Sequence, residues 1–202
     1  NKVAQLTGLP YGQTAKFILK ISYNIGADTS LLLYGVAHGV NTMPAALKVE
    51  GQDLSAHYGI SSTSYHFVDG SGGGDTSATN AAVTKMLAEL ARSPAASAFQ
   101  TALPILGVDG SLGFVTDFER DATLKGAAGN VRAKTGTWVG AGPSGQSIFL
   151  KGQAFGGYIA TKSGKHLTYQ LVVNNVPISS IDSITQVFQD EGRISAILWR
   201  DL

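Results

Sequence analysis

The chain has 202 residues, 44% of them hydrophobic and 14% charged, with a net charge of +1 at neutral pH. That length and apolar content argue for one packed domain with a sizeable core rather than disorder, and the weak charge excludes a field strong enough to hold nucleic acid. Cysteine is absent, which removes disulfides, thiol catalysis and cysteine-ligated metal from consideration.

At the start of the chain, Asn1-Lys2-Val3-Ala4-Gln5-Leu6 lacks the charged opening and apolar centre of a signal peptide. It reads as a start in mid-protein, and no apolar run approaches the roughly 18 residues of a membrane span. Residues 1–13 read as a short strand or loop ending in the turn-rich Gly8-Leu9-Pro10-Tyr11-Gly12. From Thr14 the spacing of Ala15, Phe17, Ile18 and Ile21 predicts a helix, with Lys16 and Lys20 on another face. Ser22-Tyr23-Asn24 interrupts it, and a second helix is predicted from about Ile25 to Val36. A polar tripeptide between two apolar helices is placed to project side chains into a cleft.

Residues 41–59 predict a third helix, with Pro44 near its first turn and Gly59 past its end. Residues 61–68 look extended, and 69–75 are a glycine-rich loop. Thr76, Ser77 or Thr79 caps a helix whose apolar positions Ala82, Val83, Met86, Leu87 and Leu90 recur at three and four. Ser93-Pro94 has the form of the next helix start. Pro104 and residues 107–113 end that region, and 112–128 is irregular or briefly helical.

After a glycine-rich bend at 126–130, residues 131–138 alternate small or apolar residues with polar ones, as in a strand with one buried and one usable face. Three more strands are predicted at 147–151, 153–161 and 166–174, the last two flanking the turn Lys162-Ser163-Gly164-Lys165. A final helix runs from Ser180, with a stripe through Ile181, Ile184, Val187, Phe188, Ile194, Ile197 and Leu198 despite Gly192. The expected architecture is α+β: one unit over 1–202, mainly helical through 1–120, then a sheet and C-terminal helix over 121–202.

On the strand at 131–138, Lys134, Thr135 and Thr137 crowd together, and Gly136 leaves room for something to lie against the backbone. Lys134-Thr135-Gly136 is a Lys-Thr-Gly tripeptide, and Ser22-Tyr23-Asn24, 112 residues earlier, is a Ser-x-Asn tripeptide. With Ser-x-x-Lys, these are the elements that work together in penicillin-binding proteins and serine β-lactamases. Longer stretches narrow the match: Ser22-Tyr23-Asn24-Ile25-Gly26-Ala27-Asp28, Asp69-Gly70-Ser71-Gly72, Leu103-Pro104-Ile105-Leu106-Gly107-Val108-Asp109-Gly110-Ser111-Leu112, and Val131-Arg132-Ala133-Lys134-Thr135-Gly136-Thr137. In this order, over nearly the whole chain, they resemble the class C low-molecular-mass penicillin-binding proteins, which are serine D-alanyl-D-alanine carboxypeptidases and endopeptidases.

The resemblance implies a penicillin-binding, β-lactamase-like transpeptidase fold. One element is missing: no serine or threonine stands three residues before any lysine, so Ser-x-x-Lys is absent. In the family that motif lies far N-terminal, before inserted domains. The expectation is therefore that residues 1–202 are the C-terminal part of the penicillin-binding domain, inactive alone and partnered by the N-terminal part of the same protein.

The implied reaction is acyl transfer, in which a serine attacks the amide joining two terminal D-alanines and water or an amine resolves the acyl-enzyme. The resemblance assigns catalytic roles to Ser22, relaying a proton to the leaving nitrogen, to Asn24, orienting a peptide carbonyl, and to Lys134, a positive charge near the substrate carboxylate. Thr135, Gly136 and Thr137 form the implied substrate-binding set. Thr135 is expected to point away from Lys134, which makes packing as strong a reading as binding. Thr137 is placed on the face of Lys134, its hydroxyl toward the carboxylate and its N–H completing the oxyanion hole with the absent serine. Implied ligands are peptidoglycan peptides ending in D-Ala-D-Ala and, covalently only with the missing nucleophile, β-lactams; the implied location is the cell envelope.

No cofactor or metal is expected, because His38, His57, His66 and His166 are scattered with no His-x-x-x-His pair. Asp69-Gly70-Ser71-Gly72 fails the nucleophile-elbow pattern at position 69 and reads as a turn beside the cleft. Asp109 reads as a turn carboxylate, and Trp138 as either a cleft border or a core residue. Two alternatives keep parts of this reading: a non-catalytic cell-wall peptide-binding module, and a β-lactamase-like hydrolase, against which the stretches around Asp69 and Leu103 count.

Overall fold

A computed structural model describes residues 3–142 and 148–202. Residues 3–10 form no strand and lie exposed; Pro10, its φ held at −52°, leads into α1 (Tyr11–Ile21), which starts ahead of the predicted Thr14. α1 ends where Ser22 turns left-handed, and α2 (Asn24–Ala37) begins two residues later. α3 (Met43–Tyr58) starts with Pro44 in its first turn, stops at left-handed Gly59 and packs against α2.

The stretch predicted as extended at 61–68 is shorter in structure. A single 3₁₀ turn (Ser62–Ser64) precedes a two-residue strand β1 (Tyr65–His66), paired antiparallel with β2 (Ser77–Ala78). Between them the 69–75 loop wraps around Asp69, whose Oδ1 accepts the N–H groups of Ser71, Gly72 and Gly73 at 2.9, 2.7 and 3.0 Å. Burial alone would raise the Asp69 carboxyl, but these donors outweigh it and hold the group below its ordinary range. Asp28 of α2 accepts the Gly70 N–H at 3.0 Å and ties the loop to the helical wall. Of the three offered caps, Thr79 is the one used: its Oγ1 accepts the Ala82 N–H and opens α4 (Asn80–Leu90). Ser93-Pro94 forms a turn ahead of α5 (Ala96–Ala102) rather than its first residues, with Ser93 Oγ accepting the Ala95 N–H.

The sheet is β3 (Val131–Ala141), β4 (Ile148–Ala160) and β5 (His166–Ile178), antiparallel in the order β3-β4-β5. The predicted strands at 147–151 and 153–161 are one strand; residue 147 lies outside the described residues. Gly152 does not break it, since Gly152 pairs with Trp138 on one side and Asn174 on the other, and a bulge between Trp138 and Val139 absorbs the irregularity. α6 (Ile181–Asp201) covers the sheet's inner face. Val131, Phe155 and Ile159 meet Leu106, Phe118 and Trp199 there, and each fully buried large side chain contributes about 1.5–3 kcal/mol.

Within this core α6 buries Glu191, 1% exposed, beside Gln153 and Tyr169. Neither carboxylate oxygen has a well-formed hydrogen bond among the described residues. Burial pushes the carboxyl from 4.5 up to about 8, offset only in part by the Gln153 amide. The folded chain thus keeps a proton that the unfolded chain releases. The stability from this neutral carboxyl is full below 4.5, declines as pH rises, and is gone above about 8. Urea unfolding across that window is expected to show a loss of about 1.4 kcal/mol per pH unit from this group, and Glu191→Gln is expected to abolish that component of the slope.

Candidate active site

β3 is an edge strand, and its free edge is covered only in part. Leu106 N–H donates to Val131 O and Ala133 N–H to Pro104 O, both at 3.0 Å. Past Ala133 no backbone pairing continues on that edge among the described residues. In an antiparallel strand alternate residues direct N–H and C=O to the same edge. Thr135 and Thr137 therefore present theirs where Ala133 does, to the uncovered stretch.

Lys134 stands at the start of that stretch. Its Nζ donates to Ser22 Oγ at 2.6 Å and to Thr135 O at 2.5 Å. Burial pushes the ammonium down to about 8, so it stays mostly charged at neutral pH. Ser22 reaches it because the chain turns between α1 and α2 with φ 57° and ψ 52° at this residue, a backbone state that costs a non-glycine residue about 1–2 kcal/mol. Asn24 opens α2 from the same turn, exposed, with no side-chain hydrogen bond among the described residues. The structure therefore brings Ser22 and Lys134 into contact and leaves the Asn24 amide free on the neighbouring helix end.

Three of the strand positions resolve differently. Thr135 is 5% exposed and its Oγ1 meets Ser111 Oγ at 2.7 Å, which is the packing reading. A Cβ added at Gly136 would meet nothing within 4 Å, so the strand face is open there. Thr137 overturns its expected placement. It lies three residues from Lys134 and thus on the opposite face, where its hydroxyl donates to Gln153 Oε1 at 2.6 Å across the sheet. That hydroxyl is engaged away from Lys134; the Thr137 backbone, not its side chain, addresses the open edge. Trp138 shares the Lys134 face and is 39% exposed, which favours the cleft border over the core.

Several participants escape a reading of the sequence. Asp109 does shape a turn, accepting the Ile105 N–H, but it also binds Lys20, which periodicity only sets on a second face of α1. Ser111 is one hydroxyl in a loop until Thr135 is placed against it. Apart from these, His38, just past α2, and His57, one helical turn after Asp53 on α3, approach the Asp53 carboxylate at 3.9 and 3.5 Å. No group of three or more histidines and carboxylates suited to a metal occurs among the described residues, and no helix among them is long and apolar enough to cross a membrane.

Comparison with solved structures finds the same fold in larger proteins. Penicillin binding protein 4 (dacB) from Haemophilus influenzae matches with a TM-score of 0.75 at 18% identity, over 95% of this chain and 40% of that one. The predatory endopeptidase Bd0816 of Bdellovibrio bacteriovorus, solved with immunity protein Bd3460, matches with a TM-score of 0.68 at 20% identity, over 94% and 43%. The chain thus spans less than half the length of these relatives. No curated protein matches it. The sequence profile of the D-Ala-D-Ala carboxypeptidase 3 (S13) family matches residues 1–190, and the chain belongs to that family.

Proposed function

We propose that this chain supplies two walls of the active site of a serine D-alanyl-D-alanine carboxypeptidase or endopeptidase acting on peptidoglycan stem peptides in the cell envelope. The observation that carries this is the 2.6 Å contact between Lys134 Nζ and Ser22 Oγ beside an uncovered strand edge. A serine Oγ from a Ser-x-x-Lys segment outside these 202 residues attacks the carbonyl carbon between the two D-alanines and gives its proton to the lysine of that segment, from which Ser22 relays it onward. The oxyanion lies against the Thr137 N–H. As the C–N bond breaks, the departing D-alanine nitrogen takes a proton through Ser22, and Asn24 holds the peptide carbonyl of the remaining acyl group. Water then cleaves the ester and frees the serine. Lys134 attracts the substrate's terminal carboxylate, and a β-lactam acylates the same serine.

The surface beside the cleft supports docking of such a segment. Phe17, Ile21, Tyr23 and Ile25 are exposed on α1, α2 and the turn between them, and Leu9, Ile18, Tyr23 and Leu33 line a cavity of about 480 Å³ there. Exposed apolar patches of this kind mark contact surfaces.

Fluorescent penicillin tests the reading. The longer protein that carries Ser-x-x-Lys is expected to label covalently and the 202-residue chain is not. Labelling of this chain alone would sink the claim that the nucleophile lies elsewhere. No labelling of the longer protein would favour a non-catalytic peptide-binding module.

A further inference from the structure

The two walls of the cleft come from opposite halves of the chain, and their direct contact joins two side chains within reach of water. Residues 103–111 touch both walls. On the helical side Lys20, 11% exposed in the last turn of α1, donates to Leu103 O at 2.6 Å and to the Asp109 carboxylate at 2.5 and 2.7 Å. Asp109 Oδ1 also accepts the Ile105 N–H at 3.0 Å, closing the loop on itself. Gly110 has φ +61°, and a Cβ there would come within 2.7 Å of Lys20 O, so the loop lies directly against the end of α1. On the sheet side Pro104 O holds the Ala133 N–H, and Ser111 Oγ meets Thr135 Oγ1, one residue after Lys134.

We propose that Lys20, Asp109 and Ser111 are positioning residues, and that residues 103–111 form a brace setting the separation between Ser22 and Lys134. Charge-assisted bonds to a largely buried lysine are the strong kind, and they fix the helix end that carries the Ser22 turn. The hydroxyl pair fixes the strand that carries Lys134. Neither end needs to touch a substrate. The brace rests on the acyl-transfer reading only for its effect on acylation; its effect on the cleft does not.

A wider cleft would admit water to Lys134 and let its ammonium return toward the ordinary range. The test is an NMR titration of the Lys134 side chain in the 202-residue chain. Ser111→Ala, which changes no charge, and the double variant Lys20→Met, Asp109→Asn, which removes both charges together, are expected to move Lys134 from about 8 toward 10.5. Ser111→Thr, which keeps a hydroxyl, is expected to leave it near 8. If the double variant does not fold, Ser111→Ala decides alone, and an unmoved Lys134 in folded Ser111→Ala overturns the brace.

In the longer protein, Ser111→Ala is expected to slow acylation at saturating penicillin by about tenfold, since a 1 Å misplacement can cost about 10²-fold, with initial non-covalent affinity little changed. Unchanged acylation beside a shifted Lys134 overturns the positioning role. Failure of every form to label, the unsubstituted one included, would sink the acyl-transfer reading while the Lys134 shift still upheld the brace.

Discussion

Lys134→Ala is expected to lower penicillin acylation of the Ser-x-x-Lys-bearing protein by about 10²–10³-fold, the scale of losing one preorganised electrostatic group. The ammonium is held in place by Ser22 Oγ and Thr135 O, and burial strips much of its water. A carboxylate arriving there meets a charge that need not reorganise. Alanine removes that charge, frees the Ser22 hydroxyl from its partner and opens a void beside the strand edge. The charge also gives the effect a pH signature. Lys134 is cationic below about 8 and neutral above it, so carboxylate binding is expected to be full below about 8 and to fade as pH rises through it. Stopped-flow acylation across that range checks both statements; a loss smaller than about tenfold would remove Lys134 from the machinery.

The largest stability effect is expected at Gly157. A Cβ there would lie 2.0 Å from Arg132 O and 2.7 Å from Ala133 Cα, both backbone atoms of β3. Neither can swing aside as a side-chain tip would. Alanine must push β3 away from β4 at the centre of the sheet, next to Val131 and Phe155 in the core. Overpacking costs about 1–3 kcal/mol and occasionally more, and a clash with backbone on this scale belongs at or above the upper end. Urea unfolding of Gly157→Ala is the measurement, with Gly136→Ala as the control on open space, expected within about 0.5 kcal/mol of the unsubstituted chain. A Gly157→Ala cost below about 1 kcal/mol would mean that the two strands are not so closely paired.

Local chemistry made much of this legible in the sequence. Thr79, Pro44 and Gly59 mark helix ends by the hydrogen bonds and backbone angles that only a few residue types supply, and all three act at those ends. The Ser-x-Asn and Lys-Thr-Gly tripeptides located the contact between Ser22 and Lys134 across half the chain. What failed depended on neighbours from elsewhere. The strand expected to end at residue 151 runs on because its extra residue, Lys151, is taken up where the register shifts opposite Trp138 and Val139 of β3. Thr137 is a different case: the two-residue period by itself puts it opposite Lys134, and only its hydrogen-bond partner, Gln153 across the sheet, needs the fold. Lys20 and Glu191 sit among ordinary helical charges, and only the packed partners Asp109 and Tyr169 single them out.

In the proposed reaction, the left-handed backbone at Ser22 puts stability and catalysis in opposition at one residue. Glycine would adopt φ 57° without the steric penalty, and asparagine with less of it. Either would remove the hydroxyl that meets Lys134. A chain selected only for persistence would drift away from serine at position 22. Keeping serine there trades a small, constant loss of folding free energy for a hydroxyl already set against the lysine, the group that the proposed reaction uses to carry a proton.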